Sequence, residues 1–484
     1  MNRSNPTVII GAGFAGLFTA LHLRDRDYPG SVVAIDPQER FVFKPMLYEM
    51  LTGELEENAV CPTYAELLDG SGIDWVRDEV KSLDLAKKQV TLASGTQYCY
   101  HRLVLTAGSV QGYLGTEGAQ ENAFAFRTRE DAIALKSHLQ DCLQQSLQTE
   151  DDQQRQSRLT FAVVGAGPAG IEMAATLADL LPSWYGKMGG KVGKIRIVLA
   201  NHSQEILSGD ANEALQEPAL KALQARTVPV ELLLGVGVKA VYRDRVEYQP
   251  AESDRTETLA TQTTIWTAGT DLNPLIKSLS SQIPKEHLDK HGLPLVNPTL
   301  QLLDFPDVFA AGDCAIVAEH SEPPLAQVAY QQGETIASNL IALSQGKPLQ
   351  TSEVNLRGTL LKLGLNNSIA NLFDKVQIDG KSGDILRSLT YLELLPTPWH
   401  NFKATSEWIK EEVFHRYYQP EVYTDRAGKR HILTPKEEKA RSLVKALAIL
   451  APLALLGAAY LALRTPPSEK LSPRPSTSPT QTDP

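Results

Sequence analysis

The sequence predicts an α/β fold in which one strand–turn–helix–strand unit occurs twice. Residues 7–25 (TVIIGAGFAGLFTALHLRD) and 159–181 (LTFAVVGAGPAGIEMAATLADLL) each contain a β-branched run, a Gly-x-Gly-x-x-Gly turn and an apolar pattern of helical period. A second apolar strand follows each helix, at 31–36 and 195–200. A later apolar run, 308–315, suggests that the chain returns to the first unit. We therefore expect two Rossmann-like units, the second inserted in the first.

Composition narrows the function classes. The chain has 484 residues, enough for about three domains. Its 47 basic and 57 acidic side chains leave a net charge of −10, which argues against nucleic acid as a partner. The cysteines form no CxxC or Cys/His cluster, so we predict no disulfide scaffold and no metal site; they are Cys61, Cys99, Cys142 and Cys314.

The two units and the segments that follow them suggest five parts of the chain. We expect the first unit at 1–125 and 285–348, the inserted unit at 126–284, a C-terminal region at 349–442, an apolar segment at 443–463 and a disordered tail at 464–484.

The first glycine-rich turn has the features of a dinucleotide site. Gly11 permits the tight turn, Gly13 lets the backbone approach a pyrophosphate, and Gly16 lets helix and strand pack closely. The phosphates would lie at a helix N-terminus, where free N–H groups favour anions. Asp36, at the end of the next strand, can accept hydrogen bonds from ribose hydroxyls.

The second turn repeats this pattern with one change. Its glycines are joined by a proline suited to a first helical turn: Gly165, Gly167, Pro168 and Gly170. The strand that should end in an acid ends instead in Asn201, followed by His202. A carboxylate there would repel a 2′-phosphate, so a neutral residue allows NADPH as well as NADH. Asn201 could equally be an ordinary turn residue.

The C-terminal segment predicts a membrane anchor. Residues 446–463 (ALAILAPLALLGAAYLAL) carry no charge and would span about 27 Å as a helix. The bland alternative is a buried core helix. Cations cluster on the upstream side, which would keep the preceding domains on the cytoplasmic side. Residues 399–418 predict an amphipathic helix, suited either to a membrane surface or to core packing.

Together these segments resemble the flavoproteins with two dinucleotide-binding domains and, within them, the type II NAD(P)H:quinone oxidoreductases. Residues 40–49 (RFVFKPMLYE) are similar to the family segment that covers the flavin. Residues 308–315 (VFAAGDCA) resemble its second flavin motif, and 325–333 (LAQVAYQQG) resemble its AQxxxQ quinone motif. The resemblance extends over about residues 7–420.

The resemblance implies FAD as cofactor and NADH or NADPH as co-substrate. It assigns to FAD and the adjoining quinone site Gly11, Gly13, Phe14, Ala15, Gly16, Asp36, Lys44, Pro45, Ala107, Gly108, Gly312, Asp313 and Gln327. It assigns to NAD(P)H Gly165, Gly167, Pro168, Gly170, Asn201, Ala268 and Gly269.

Four residues are the candidates for quinone chemistry. Gln327 and Gln331 share one face of a helix, where two amides could donate to quinone carbonyls, although such a pair is more often solvated surface. The resemblance places Glu172 near the flavin, with a role in quinone reduction or proton delivery. It also places Lys362 near flavin and quinone. A bare Glu near a helix start or a lone Lys would ordinarily have no such role.

The expected function is a membrane-bound, non-proton-pumping NAD(P)H:quinone oxidoreductase. Hydride would pass from the nicotinamide to FAD, and two electrons to a lipid-soluble quinone. Two alternatives stay open at this point: a sulfide:quinone oxidoreductase-like enzyme, and a membrane-tethered flavin redox sensor with slow turnover. A homodimer is also open.

Overall fold

The computed structural model describes residues 5–208, 213–356, 358–372, 376–414, 422–424 and 430–432. The chain divides into two compact units, Met1–Glu407 and Trp408–Pro484. The predicted anchor at 443–463 and tail at 464–484 lie outside the described residues. Among those that are described, no helix is both long enough and apolar enough to cross a bilayer.

Strands and helices alternate from the N-terminus. To residue 122 they are β1 (Thr7–Ile10), α1 (Phe14–Asp25), β2 (Val32–Asp36), α2 (Leu47–Thr52), α3 (Glu57–Val60), α4 (Tyr64–Leu67), β3 (Asp74–Arg77), β4 (Val80–Asp84), β5 (Gln89–Leu92), β6 (Gln97–Cys99), β7 (Arg102–Leu105), β8 (Ser109–Gln111) and α5 (Ala119–Asn122). The middle of the chain contains α6 (Arg129–Gln148), α7 (Asp152–Arg158), β9 (Thr160–Val164), α8 (Pro168–Lys187), β10 (Arg196–Asn201), α9 (Glu213–Gln224), β11 (Val230–Leu234), β12 (Val236–Val241), β13 (Arg245–Pro250), β14 (Glu257–Ala260), β15 (Thr263–Trp266) and β16 (Thr270–Leu272).

The remaining elements follow in the same manner. They are α10 (Pro274–Leu279), β17 (Leu295–Val296), β18 (Gln301–Leu302), β19 (Phe305–Ala310), β20 (Ile316–Val317), α11 (Ala326–Ser344), β21 (Gly358–Lys362), β22 (Ser368–Leu372), β23 (Val376–Ile378), α12 (Gly380–Glu393), α13 (Pro398–Phe414), β24 (Val422–Thr424) and β25 (Arg430–Ile432).

Two sheets carry the dinucleotide folds. The larger has the strand order β20-β17-β18-β19-β7-β1-β2-β3, and β1 lies parallel between β2 and β7. The smaller has the order β11-β10-β9-β15, with all pairs parallel. Every strand of the smaller sheet lies between β7 and β19 in sequence, so the chain leaves the first sheet and later returns to it. The carboxyl ends of β1 and β9 each lead into a glycine-rich turn.

A close contact between α1 and α11 holds the later part of the chain beside the first glycine-rich turn. At Gly333 in α11, an added Cβ would lie 2.4 Å from the carbonyl oxygen of Ala15 in α1. Thr19 donates a hydrogen bond to the Gly333 carbonyl at 3.0 Å. This close approach requires glycine and holds the N-terminal half of α11 beside the first glycine-rich turn.

The C-terminal strands join the same core. Leu361, Leu363 and Ile369 pack in the hydrophobic cluster that contains the buried faces of β9 and α8. Asp179 of α8 accepts hydrogen bonds from Arg226 and from the backbone N–H of Leu365, at 3.0 Å each. The strands β21 and β22 are therefore fastened to the second dinucleotide unit, which brings Lys362 to the first turns of α8.

Candidate functional site

The first glycine-rich turn leaves a helix N-terminus open. Gly11 has φ +85°, and an added Cβ would lie 2.4 Å from the carbonyl oxygen of Thr106, so no other residue fits without a shift. Gly16 would meet the Gly11 carbonyl at 1.9 Å. Gly13, which caps α1 without a side-chain bond, has no heavy atom within 4 Å of an added Cβ. Phe14 and Ala15 then begin α1, so free backbone N–H groups face an open space.

Asp36 completes this turn. Its Oδ2 accepts from the backbone N–H of Ala12 at 2.7 Å, and its Oδ1 accepts from that of Gln38 at 2.9 Å. Burial raises the Asp36 pKa, against these two hydrogen bonds. Each oxygen keeps acceptor capacity for a ribose hydroxyl.

The second turn has the same construction. Gly167 caps α8 with open space above it, and Pro168 is the first residue of the helix. At Gly165 and Gly170, an added Cβ would lie 2.9 Å from Ala268 and 1.7 Å from a backbone oxygen. Asn201 Oδ1 accepts from the backbone N–H of Ala166 at 3.0 Å. The amide therefore makes the same contact with its turn that Asp36 makes with the first, without the negative charge.

Ala107 and Gly108 follow β7, and Ala268 and Gly269 follow β15. These small residues lie where the two dinucleotide-binding units meet. The Ala107 carbonyl accepts from Asn273 at 3.0 Å, and the Ala268 carbonyl accepts from the Trp266 indole at 2.7 Å. Gly108 and Gly269 have φ +64° and +77°. Just beyond them β8 and β16 pair antiparallel and link the two dinucleotide-binding units.

Asp313 lines an open cavity of about 170 Å³ beside the N-terminal part of α11. Its Oδ2 accepts from the Ser109 hydroxyl at 2.8 Å, and Ser109 Oγ accepts from Arg127 at 2.9 Å. The Gly312 N–H donates to Gln332 Oε1 at 2.8 Å, which fixes the turn. The cavity wall thus contains a carboxylate held by a hydroxyl and a guanidinium.

Lys44 belongs to the same surroundings. Burial lowers the Lys44 pKa, the charge of Arg127 acts in the same direction, and Asp313 opposes both. Pro45, the next residue, presents its carbonyl to Arg387, which donates to it at 2.5 Å. Lys44 therefore senses the charges of Arg127 and Asp313, whereas Pro45 bonds to Arg387.

A buried cluster of charges joins three separate parts of the chain. Lys362, which is 1 % exposed, donates from Nζ to Glu49 at 3.0 Å and to Glu54 at 2.8 Å. Arg387, which is fully buried, donates to the same Glu49 oxygen at 2.5 Å. Glu172 accepts from the backbone N–H of Lys362 at 2.8 Å and lies 3.8 Å from Arg387. We call these five side chains the charge cluster.

Two of the three carboxyls of this cluster, Glu172 and Glu49, have pKa values shifted in opposite directions. Burial raises the Glu172 pKa to about 7, against the lowering effects of Arg387 and of the Lys362 N–H. At Glu49, burial also acts to raise the pKa, but the charges of Arg387 and Lys362 hold it down at about 2. Divergent carboxyl environments of this kind separate a proton-exchanging group from a permanently charged one. Glu172 can thus exchange a proton near neutral pH while Glu49 stays ionised.

The glutamine pair on α11 bonds to backbone groups of the segment that leads into β21. Gln327 Nε2 donates to the Gly358 carbonyl at 2.9 Å, and Gln331 Nε2 donates to the carbonyls of Gln327 and Asn355. Gln331 Oε1 also accepts from the Asn355 N–H at 3.0 Å. The two amides therefore link α11 to Asn355 and to Gly358, the first residue of β21, and each already donates to a backbone carbonyl.

The structure brings Glu172 and Lys362 into contact, and it adds Arg387, Glu54, Arg127 and Gln332, which the sequence analysis did not single out. The local signal for Arg387 is Tyr391, one helical turn later in α12, whose ring centroid lies 4.9 Å from the guanidinium; α12 also carries the cation Lys381. The other residues have no distinctive local pattern.

Comparisons with known proteins identify the family. The pyridine nucleotide-disulphide oxidoreductase family matches residues 5–333. The chain is 32 % identical over 445 residues to the alternative NAD(P)H-ubiquinone oxidoreductase C1 of Arabidopsis thaliana, covering 85 % of this chain and 82 % of that protein. It is 30 % identical over 421 residues to the demethylphylloquinone reductase NdbB of Synechocystis, covering 84 % and 97 %.

Among solved structures, NDH2 from Plasmodium falciparum in complex with NADH is similar with a TM-score of 0.76 and 17 % identity, covering 86 % of this chain and all of that one. This likeness concerns the fold. The family match and the identities together assign the sequence. The chain belongs to the pyridine nucleotide-disulphide oxidoreductase family and, within it, to the type II NAD(P)H:quinone oxidoreductases.

Proposed function

We propose that this protein is an FAD-dependent oxidoreductase that oxidises NAD(P)H and reduces a lipid-soluble quinone without pumping protons. The observation that carries the proposal is the position of Glu172. It lies in the first turns of α8, behind the second glycine-rich turn, and contacts both Lys362 and Arg387. Arg387 in turn holds the Pro45 carbonyl in the segment that resembles the flavin cover.

The residues present fit FAD. The open N-terminus of α1 above Gly13 suits a pyrophosphate, Asp36 suits a ribose, and the Asp313 cavity suits the ribityl chain. When bound, FAD would accept hydride from the nicotinamide and pass two electrons to the quinone. The open N-terminus of α8 above Gly167 suits the pyrophosphate of NADH or NADPH in the same way.

The side chains of the charge cluster would serve proton supply. A quinone that receives two electrons must take up two protons. The pKa of Glu172 is raised to about 7, so this carboxyl can hold one of these protons near neutral pH. Lys362 and Arg387 keep fixed positive charge beside it. Tyr48 donates to the Ala169 carbonyl at 3.0 Å, which ties α2 to the start of α8.

Gln327 and Gln331 remain part of the proposal in a modified role. Because their amides bond to the backbone of 355–358, we propose that they shape the quinone-facing wall. A quinone carbonyl would compete with the Gly358 carbonyl for the Gln327 N–H.

We also propose that the enzyme attaches to a membrane through residues 443–463, with the catalytic units on the cytoplasmic side. The uncharged run and its cationic flank support this. A lipid-soluble substrate is the second reason. Phe402 of α13 is 66 % exposed, as a side chain at a membrane surface would be.

The thiols give no support to a sulfide:quinone enzyme. Burial raises the pKa of Cys61 to about 12 and that of Cys314 to about 11, so neither forms a thiolate readily. All four cysteines are free. A slow redox sensor would retain the same sites, and only its turnover separates it from the enzyme.

The test is anaerobic stopped-flow reduction of the FAD-loaded protein, by NADH and NADPH separately, followed by a soluble quinone analogue. Fast bleaching of the flavin and fast reoxidation are expected. Bleaching with sluggish reoxidation would favour the sensor. No bleaching by either nucleotide would refute the proposed function.

A further inference from the structure

A second feature surrounds the end of β10, beyond the predicted Asn201. Gly235, between β11 and β12, donates its N–H to the Ser203 carbonyl at 3.1 Å, which holds the start of β12 against the loop after β10. In a Rossmann unit the loop after the second strand receives the adenosine ribose of a nicotinamide dinucleotide. The start of β12 therefore belongs to the wall of that site.

Two cationic or donor side chains meet at this wall. His202 Nδ1 and Lys239 Nζ each lie 3.9 Å from the point that a Cβ on Gly237 would occupy. Because Gly237 has no side chain, the space between the two nitrogens stays open. Within the part of the chain that the structure describes, neither His202 nor Lys239 forms an ion pair with a carboxylate.

The backbone explains why Lys239 points here. Pairing of β12 with β13 slips at this residue: Val238 is opposite Tyr248 and Ala240 is opposite Glu247, so Lys239 is the extra residue of a bulge. A bulge redirects the side chain of the extra residue out of the regular alternation. The Lys239 side chain lies back along the strand toward Gly237.

Asn201 is neutral, so the end of β10 carries no negative charge that would repel a phosphate. Its Oδ1 caps the Ala166 N–H, and its Nδ2 donates to the Ser203 and Glu205 carbonyls at 3.3 and 2.9 Å. The amide thus shapes the loop that carries His202. Glu205, exposed on the same loop, is an acid whose charge would weaken an anion site.

We propose that His202 and Lys239 form a seat for the 2′-phosphate of NADPH, so that this chain uses NADPH at least as well as NADH. The inference rests on the proposed function for the identity of the nucleotide. The 2′-phosphate is what distinguishes the two nucleotides, and a lysine ammonium with an imidazole N–H can bind it by charge-assisted hydrogen bonds.

The test compares Lys239→Ala, Lys239→Arg and Arg243→Ala in the FAD-loaded enzyme with a soluble quinone. Arg243 is an exposed cation at the far end of the same hairpin and serves as the matched control for net charge. Lys239→Ala should lower the NADPH/NADH ratio of kcat/KM about five- to tenfold, as expected for one partly exposed charged contact. Lys239→Arg should keep most of the ratio, and Arg243→Ala should keep all of it.

Binding measured by calorimetry separates this inference from the proposed function. Lys239→Ala and His202→Ala should each weaken 2′,5′-ADP more than 5′-AMP, whether or not the enzyme turns over. Equal weakening of both ligands, or an unchanged NADPH/NADH ratio, would overturn the 2′-phosphate seat. If neither nucleotide reduces the flavin, the proposed function fails, and the two adenosine phosphates still decide the question of the seat. Glu205→Gln should raise the ratio.

Discussion

The charge cluster predicts a specific effect of Arg387→Met on proton delivery. Arg387 is fully buried and bonds to Glu49 and to the Pro45 carbonyl. It lies 3.8 Å from Glu172 and lowers the pKa of that carboxyl. Removing its charge should therefore raise the Glu172 pKa above its value of about 7.

The distance of 3.8 Å between Arg387 and Glu172 sets the size of the pKa shift. Unit charges about 4 Å apart interact by about 4 kcal/mol at an effective dielectric constant of about 20, which corresponds to a ceiling of roughly three pKa units. Lys362 and water entering the vacated space offset part of this, so we expect an upward shift of at least about one unit. Leaving Glu49 without one of its two cations should also lower the free energy of unfolding by about 3–5 kcal/mol.

The assay is the rate of flavin reoxidation by a soluble quinone between about pH 6 and pH 9. If protonated Glu172 supplies the proton, the rate falls as pH rises through its pKa, and Arg387→Met moves that fall to higher pH. In a Glu172→Gln background the shift should vanish. Arg387→Lys, which keeps the charge, is the matched control and should shift the profile less.

An unchanged midpoint in Arg387→Met would refute the reasoning, because it would mean that the titrating group does not sense this charge. Urea unfolding of the same variants checks the stability part.

The remaining predictions concern single side chains. Gly13→Ala should change the free energy of unfolding by no more than about 0.5 kcal/mol but weaken FAD retention, because its Cβ would fill only the open space above α1. Gly16→Ala should destabilise the fold itself, because its Cβ would lie 1.9 Å from a carbonyl oxygen. Equal free energies of unfolding for the two variants would contradict this. Gln327→Ala should slow quinone-linked reoxidation and leave flavin reduction by nicotinamide largely intact; loss of the reduction step in stopped flow would remove Gln327 from the quinone site. Glu172→Gln should abolish the pH dependence of reoxidation near pH 7. In equilibrium unfolding, the wild type should lose stability relative to Glu172→Gln as pH rises from about 4.5 to about 7, since the folded state binds the extra proton across that window.

The local part of this architecture could be read from the sequence. A glycine-rich turn is encoded in six consecutive residues, because each glycine answers a steric need of its own backbone position, as Gly11, Gly13 and Gly16 do. The positions of Asp36 and Asn201 at strand ends were also recognisable locally, whereas their hydrogen bonds with the backbone N–H groups of the two turns come from the structure. Both sheets follow from these repeated units.

The charge cluster depended on contacts that no local pattern contains. Glu172 and Lys362 are 190 residues apart, and Arg387 and Glu49 are 338 apart. The family resemblance indicated that the first two belong to one site, but not that they share a hydrogen bond. The same limit applies to Lys239, whose direction depends on a bulge in the pairing of β12 with β13.

The sequence by itself thus determined the two dinucleotide turns, their order along the chain and the missing acid at Asn201. Only the tertiary structure decided that Gln327 and Gln331 bond to the backbone at Gly358 and Asn355, that Arg387 lies between Glu49 and Glu172, and that Glu172 has a pKa near 7. The physical reason is that turn geometry arises from neighbouring residues, whereas burial and charge proximity arise when distant segments pack together.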